Sequence, residues 1–170
     1  MDWGIRAAFL SVLFSGKSPF APGTIGSFVS IFLGLPILFF SQESLFLSAV
    51  LLGVIAIKQI DIYEAKVGKH DDKRIVIDEL VGMWMAMSFF SAAQMNVLAL
   101  IIAMTLCFVF FRIFDITKPS FIGKIDREVR GGLGVVGDDV LAGVLGGACA
   151  KISFMLLECA LVYFELGLEL

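Results

Sequence analysis

Histidine occurs once in these 170 residues, at position 70, and a single imidazole excludes a multi-histidine zinc site. Cysteine is almost as scarce. Cys107, Cys149 and Cys159 are odd in number, lie in apolar runs and are too far apart for a Cys-x-x-Cys clip, so they read as inert buried thiols. Charged residues make up only 17% of the chain and the net charge is −3. No basic stripe interleaved with aromatics occurs, which sets nucleic-acid binding aside. No Ser/Pro-rich linker, low-complexity tract or repeat divides the chain, so one domain over 1–170 is expected.

What the chain does have is grease: 59% apolar residues, 17 phenylalanines and a mean hydropathy of +0.95. That composition is wrong for a soluble domain and right for an integral membrane protein. Apolar runs fall at 24–40, 45–57, 80–93, 97–111 and 140–164. Several are shorter than the roughly 20 residues a full span needs, so they must borrow from their flanks, thin the bilayer or be partly re-entrant. Residues 1–14 carry one acid, one base and no small-x-small cleavage site, and are expected to form a retained interfacial helix.

The connections 41–44 and 91–96 contain neither Lys nor Arg, whereas 12 of the 13 basic residues lie before the first run, between the second and third, or between the fourth and fifth. By the positive-inside rule that side faces the cytoplasm. The expected architecture is an all-α membrane bundle of two helical hairpins plus a C-terminal helix. Lys151 is the one basic residue elsewhere, either snorkelling or neutralising a carboxylate such as Glu158.

Seven charged residues, five of them acids, lie in three stretches on the cytoplasmic side. They are Ile75-Val76-Ile77-Asp78-Glu79, Arg112-Ile113-Phe114-Asp115-Ile116-Thr117-Lys118-Pro119, and Gly131-Gly132-Leu133-Gly134-Val135-Val136-Gly137-Asp138-Asp139. An acid at the mouth of a membrane helix is expensive, and five at one depth point to a hard cation such as Mg²⁺, which prefers carboxylate oxygens. Arg112, Asp115 and Lys118 recur every three residues. They read either as a paired, solvated helix end or as a cationic clamp for phosphoryl oxygens beside an acid. The glycines before Asp138 and Asp139 read as a turn at the start of the last helix, flexible or phosphate-cradling. The segment from Gly16 to Ser27 is either a helix-entry loop capped by Thr24 or Ser27, or an anion site made of Lys17, Thr24, Ser27 and helix-start N–H groups. Gly143 and Gly147 have the spacing that lets membrane helices touch.

Four blocks together resemble the phosphatidylglycerophosphatase A family: Pro19-x-x-Pro22-Gly23-Thr24-x-Gly26-Ser27, Ile75-Val76-Ile77-Asp78-Glu79-x-x-Gly82, Phe111-Arg112-x-x-Asp115-x-x-Lys118-Pro119, and Gly131-Gly132-x-Gly134-x-x-x-Asp138-Asp139-x-x-Ala142-Gly143. The resemblance implies a Mg²⁺-dependent phosphatase that converts the membrane phospholipid phosphatidylglycerophosphate to phosphatidylglycerol, in the bacterial cytoplasmic (inner) membrane with its active site facing the cytoplasm. On this reading Asp78, Glu79, Asp138 and Asp139 hold the metal or its water, and Asp115 bridges metal and cations. One of the five acids is the general base. Arg112, Lys118 and Lys17 hold phosphoryl oxygens, and Thr24 and Ser27 add hydrogen bonds. His70 and Asp71 are further candidates.

Other phosphatase chemistries fail on the letters. Cys107 and Arg112 are one residue too close for a cysteine-phosphatase loop, no Asp-x-Asp pair exists, and a histidine-nucleophile enzyme needs two histidines. Metal-assisted attack by water or by a carboxylate remains. The alternatives from other classes are an ion or small-solute transporter and a Mg²⁺-dependent lipid phosphotransferase. Acids gathered at one face, with no inverted repeat, count against the first. The missing Asp-Gly-x-x-Ala-Arg signature counts against the alcohol phosphotransferases.

Overall fold

The computed structural model describes Phe9, Ser11 and residues 21–68, 75–119 and 121–168, with side chains through Tyr163. The expected N-terminal interfacial helix and Lys17 lie outside the described residues, as do His70 and Asp71. The described residues form six α-helices and no strand: α1 Pro22–Phe40, α2 Gln42–Val67, α3 Ile77–Met87, α4 Val97–Thr117, α5 Phe121–Glu128 and α6 Gly132–Leu168. Four segments, Pro22–Phe40, Gln42–Val67, Val97–Thr117 and Gly132–Tyr163, are long and apolar enough to cross a bilayer. The all-α membrane bundle expected from the composition is what forms.

Local chemistry sets the helix ends. Pro22 opens α1 at the position where its fixed φ and missing N–H cost nothing, so Thr24 and Ser27 lie inside the helix rather than capping it. The buried face of α1 is made largely of small residues, Gly26, Ser27, Ser30 and Gly34, while Phe28, Phe32, Phe39 and Phe40 point outward. Small residues let α1 lie close against α3, where the Trp84 indole N–H donates to the Ser30 carbonyl at 2.8 Å. Ser41 caps α2, its hydroxyl accepting the Ser44 N–H at 3.0 Å, and Asn96 caps α4 through the Ala99 N–H at 2.8 Å. At its far end α2 runs on past its apolar run to a left-handed Gly68.

The third apolar run, 80–93, is not a continuous spanning helix: α3 has 11 residues, about 16 Å against a hydrocarbon core of about 30 Å. Beyond Met87 the Phe89 and Phe90 N–H groups close short turns on Ala86 and Met87, and a 3₁₀ turn follows at Ala92–Gln94. Irregular backbone at this depth is tolerated because protein covers it, Phe90 packing edge-on against Phe154 at 5.6 Å. Every residue of α3 except Glu79 is buried, so this half-helix is the core of the bundle rather than a lipid-facing element.

The glycine-rich stretch is helix and not the expected turn. Gly132 opens α6, a helix of 37 residues, so Asp138 and Asp139 lie in its second turn. Only Gly131, at φ +75, has a conformation that asks for glycine. Gly143 serves close packing: a side chain there would collide with the Gly82 carbonyl of α3, and one at Gly82 would come within 2.6 Å of the Asp139 carbonyl. Backbone-to-backbone contact between α3 and α6 therefore occurs one turn from both acidic pairs. The start of α1, the end of α4, α5 and the start of α6 meet at one end of the bundle, and the α1–α2 and 91–94 turns meet at the other.

Candidate active site

At the charged end a cavity of about 490 Å³ opens between α1, α3, α4, α5 and α6. Its size is ordinary for a small-ligand site. Each of the five acids singled out in the sequence lines it, together with Thr24, Arg112 and Lys118. Ser27 stands one turn further into α1 and reaches the site through Arg112.

The floor is acidic. Carboxylate oxygens of Asp78, Glu79 and Asp139 lie within 4.8 Å of one another. Asp78 and Asp139 are buried, and Glu79 is half-buried. Crowded, desolvated carboxylates repel one another strongly, and the arrangement asks for positive charge. Glu79 Oε2 and Asp138 Oδ1 are shielded from solvent with no hydrogen-bond donor. Hard oxygens, convergent and partly unsatisfied, fit a divalent cation such as Mg²⁺. Asp78, Glu79 and Asp139 are the residues placed to hold one.

Two cations flank the floor, and each is tied to an acid. Arg112 pairs with Asp115 one turn along α4, as their spacing allows, and its two terminal nitrogens reach the Ser27 and Thr24 hydroxyls, both at 3.4 Å. On the other wall Lys118 ends α4 in a left-handed conformation, φ 42, that is uncommon for a residue with a side chain. The turn aims it into the cavity, where its ammonium pairs with Asp126 and donates to Asp138 Oδ2 at 2.7 Å. Burial alone would lower its pKa, but the Asp126 and Asp138 carboxylates outweigh burial and hold Lys118 above the ordinary lysine value.

Asp126, on the short helix α5, was missed by the sequence reading. The signal was an acid eight residues after Lys118 in a segment that otherwise looks solvated. Asp61 was missed too. From α2 its carboxylate accepts the Gly132 N–H at 2.7 Å, capping α6 from a neighbouring helix and fixing the end that carries Asp138 and Asp139.

A cavity with an acidic floor and two cationic walls can neutralise a phosphomonoester, order a water against it and stabilise charge on a departing oxygen. Comparison with known proteins agrees. Residues 8–154 match the family model described as Phosphatidylglycerophosphatase A. The chain is 36% identical over 132 residues to a phosphatidylglycerophosphatase A of Escherichia coli strain K12, covering 77% of this chain and 73% of that one. It is 33% identical over 129 residues to the phosphatidylglycerophosphatase A of Haemophilus influenzae, covering 73% of each. A Bacteroides thetaiotaomicron protein named "Putative phosphatidylinositol-3-phosphatase" is 34% identical over 148 residues, 82% of this chain and 90% of that one. No solved structure matches.

Proposed function

The chain belongs to the phosphatidylglycerophosphatase A family, and from that premise we propose that it removes the terminal phosphate of phosphatidylglycerophosphate, releasing phosphatidylglycerol and inorganic phosphate. The observation that carries the reading is the cluster of Asp78, Glu79 and Asp139 between Arg112 and Lys118, in one cavity at the charged end of an apolar bundle. A lipid phosphate can enter such a cavity while its acyl chains stay in the bilayer. The excess of Lys and Arg at this end supports a cytoplasmic orientation in a bacterial inner membrane.

In the reaction Arg112 and Lys118 take phosphoryl oxygens, exchanging part of their contact with Asp115 and Asp138 for the substrate. Thr24, already in reach of Arg112, donates a hydrogen bond from the α1 side, where helix-start N–H groups also favour an anion. One of the five carboxylates accepts the proton of the attacking water. The water oxygen bonds to phosphorus as the ester bond breaks, and a proton returns to the departing glycerol oxygen. Mg²⁺ held by Asp78, Glu79 and Asp139, with Asp138 and Asp115 beside them, would supply Lewis-acid neutralisation of the phosphoryl charge. Lys17, His70 and Asp71 stay candidates on the sequence alone.

A second reading, hydrolysis of a phosphate on an inositol ring, rests on the name of the Bacteroides relative. Phosphate release by the purified protein from phosphatidylglycerophosphate and from phosphatidylinositol 3-phosphate, measured side by side in the same detergent, separates the two. A kcat/KM at least tenfold higher for the first supports the reading. The reverse order assigns the inositol lipid, and no release from either refutes phosphatase activity.

A further inference from the structure

At the end of the bundle opposite the acids, two cavities of opposite character adjoin. Because α3 stops at Met87, the space beside the start of α2 is not filled by helix, and a groove of about 490 Å³ opens there between Phe46, Leu47 and Phe89. Its lining is almost entirely apolar. Gln42 and Glu43 line this groove and also a second, mainly polar cavity of about 420 Å³ that includes Ser41, Gln94 and Lys151. A polar chamber beside a greasy groove, with Gln42 and Glu43 lining both, suits an amphiphile.

The charges in the chamber are one of each sign. Lys151 is the one basic residue of the chain outside the cytoplasmic set. Its ammonium stands 5.0 Å from the centre of the Phe90 ring, and among the described residues no carboxylate lies within ion-pair distance. Glu43 is held in place by the Ser41 hydroxyl at 2.8 Å and the Gln42 amide at 3.2 Å. A cation without a carboxylate partner suits a phosphate, and an anchored carboxylate suits an ammonium. An anionic headgroup would meet Lys151 but face Glu43. A quaternary ammonium would satisfy charge yet donate no hydrogen bond to Glu43 or to the amide oxygens of Gln42 and Gln94.

We propose that these adjacent cavities bind one phospholipid of the leaflet opposite the acids, a phosphodiester bearing a primary ammonium, with its phosphate on Lys151, its ammonium on Glu43 and an acyl chain along Phe46, Leu47 and Phe89. Phosphatidylethanolamine has that chemistry. The site shares no residue with the acidic cavity, so it stands or falls independently of the proposed phosphatase activity.

Native mass spectrometry of the purified protein, after exchange into nanodiscs of equal phosphatidylethanolamine, phosphatidylcholine and phosphatidylglycerol, tests it. The wild type is expected to carry one phosphatidylethanolamine through gas-phase release. Lys151→Ala should lower its retention by about tenfold, the loss of one charge-assisted hydrogen bond. Glu43→Gln should erase the preference over phosphatidylcholine while leaving a residual phosphate contact. Should Lys151→Ala not fold, the wild-type lipid series and Glu43→Gln decide alone. Retention of the three lipids in equal measure, or of none, overturns the proposal, as does a Glu43→Gln variant with unchanged preference.

Discussion

Adding one methyl group at Gly82 should disable the site without touching an acid. A Cβ at that position would lie 2.6 Å from the Asp139 carbonyl oxygen and 2.6 Å from Phe111 Cε2. Ordinary van der Waals separation is about 3.5 Å or more, so α3 and α6 must part by roughly 1 Å. Phe111 is fully buried and cannot swing aside, which leaves the helices to move. The expected stability cost of Gly82→Ala is about 1–3 kcal/mol, the range for overpacking, partly offset by the better helix propensity of alanine. Asp78 and Glu79 lie on α3 and Asp138 and Asp139 on α6, so a displacement of that size changes the distances across the acidic cluster. A misplacement of about 1 Å at reacting groups costs on the order of a hundredfold in rate. Detergent melting followed by tryptophan fluorescence and phosphate release from phosphatidylglycerophosphate would be measured on the same preparation. The predicted result is a folded protein with a modestly lowered Tm and turnover down by about two orders of magnitude. Full turnover at an unchanged Tm would show that the α3–α6 backbone contact does not set the site.

Asp78→Asn and Asp139→Asn should each lower turnover by at least about a hundredfold with expression and melting nearly unchanged, as for loss of a metal ligand, and retention of half the activity in either removes that residue from the site. Lys118→Gln should cut kcat/KM by more than about tenfold, whereas Asp126→Asn, which leaves Asp138 paired with Lys118, should cut it less; the reverse order in steady-state kinetics would place Asp126 in the chemistry. With Cys149 and Cys159 replaced and buried Cys107 retained, Ala93→Cys should be labelled by an impermeant thiol reagent from outside intact cells and Lys124→Cys only after the membrane is opened. Labelling of Lys124→Cys from outside would separate the site from a cytoplasmic substrate.

Much of the molecule could be read from its letters because membrane helices and their charged ends leave coarse signals. The base-free connections 41–44 and 91–96 fall where the chain turns at the far end, and Asp78, Glu79, Asp115, Asp138 and Asp139 meet in one cavity. The early end of α3 was not legible, since Ser88-Phe89-Phe90 continues an apolar run with no proline or glycine to stop a helix. Packing decides it there, through Phe90 against Phe154. The stretch of four glycines read as loop for the opposite reason. Gly132, Gly134 and Gly137 each cost the helix about 1 kcal/mol relative to alanine, yet helix forms, with Gly132 and Gly134 packed against the Ile57 and Val129 carbonyls. Asp126 and Asp61 were invisible because an acid in a polar segment looks solvated until the helix it reaches is known. The pairing of Lys118 with Asp138 likewise depends on a left-handed turn before Pro119 that no periodicity announces.

The most direct test of the central claim is a Mg²⁺ titration of phosphate release from phosphatidylglycerophosphate by the wild-type protein, begun in excess EDTA. If Asp78, Glu79 and Asp139 gather to hold a hard cation, release should be absent in chelator and return with Mg²⁺ or Mn²⁺. Ca²⁺ should restore it poorly, its longer and looser coordination placing the phosphoryl group wrongly. Undiminished release in excess EDTA would contradict the account and leave the acidic cluster to act without metal.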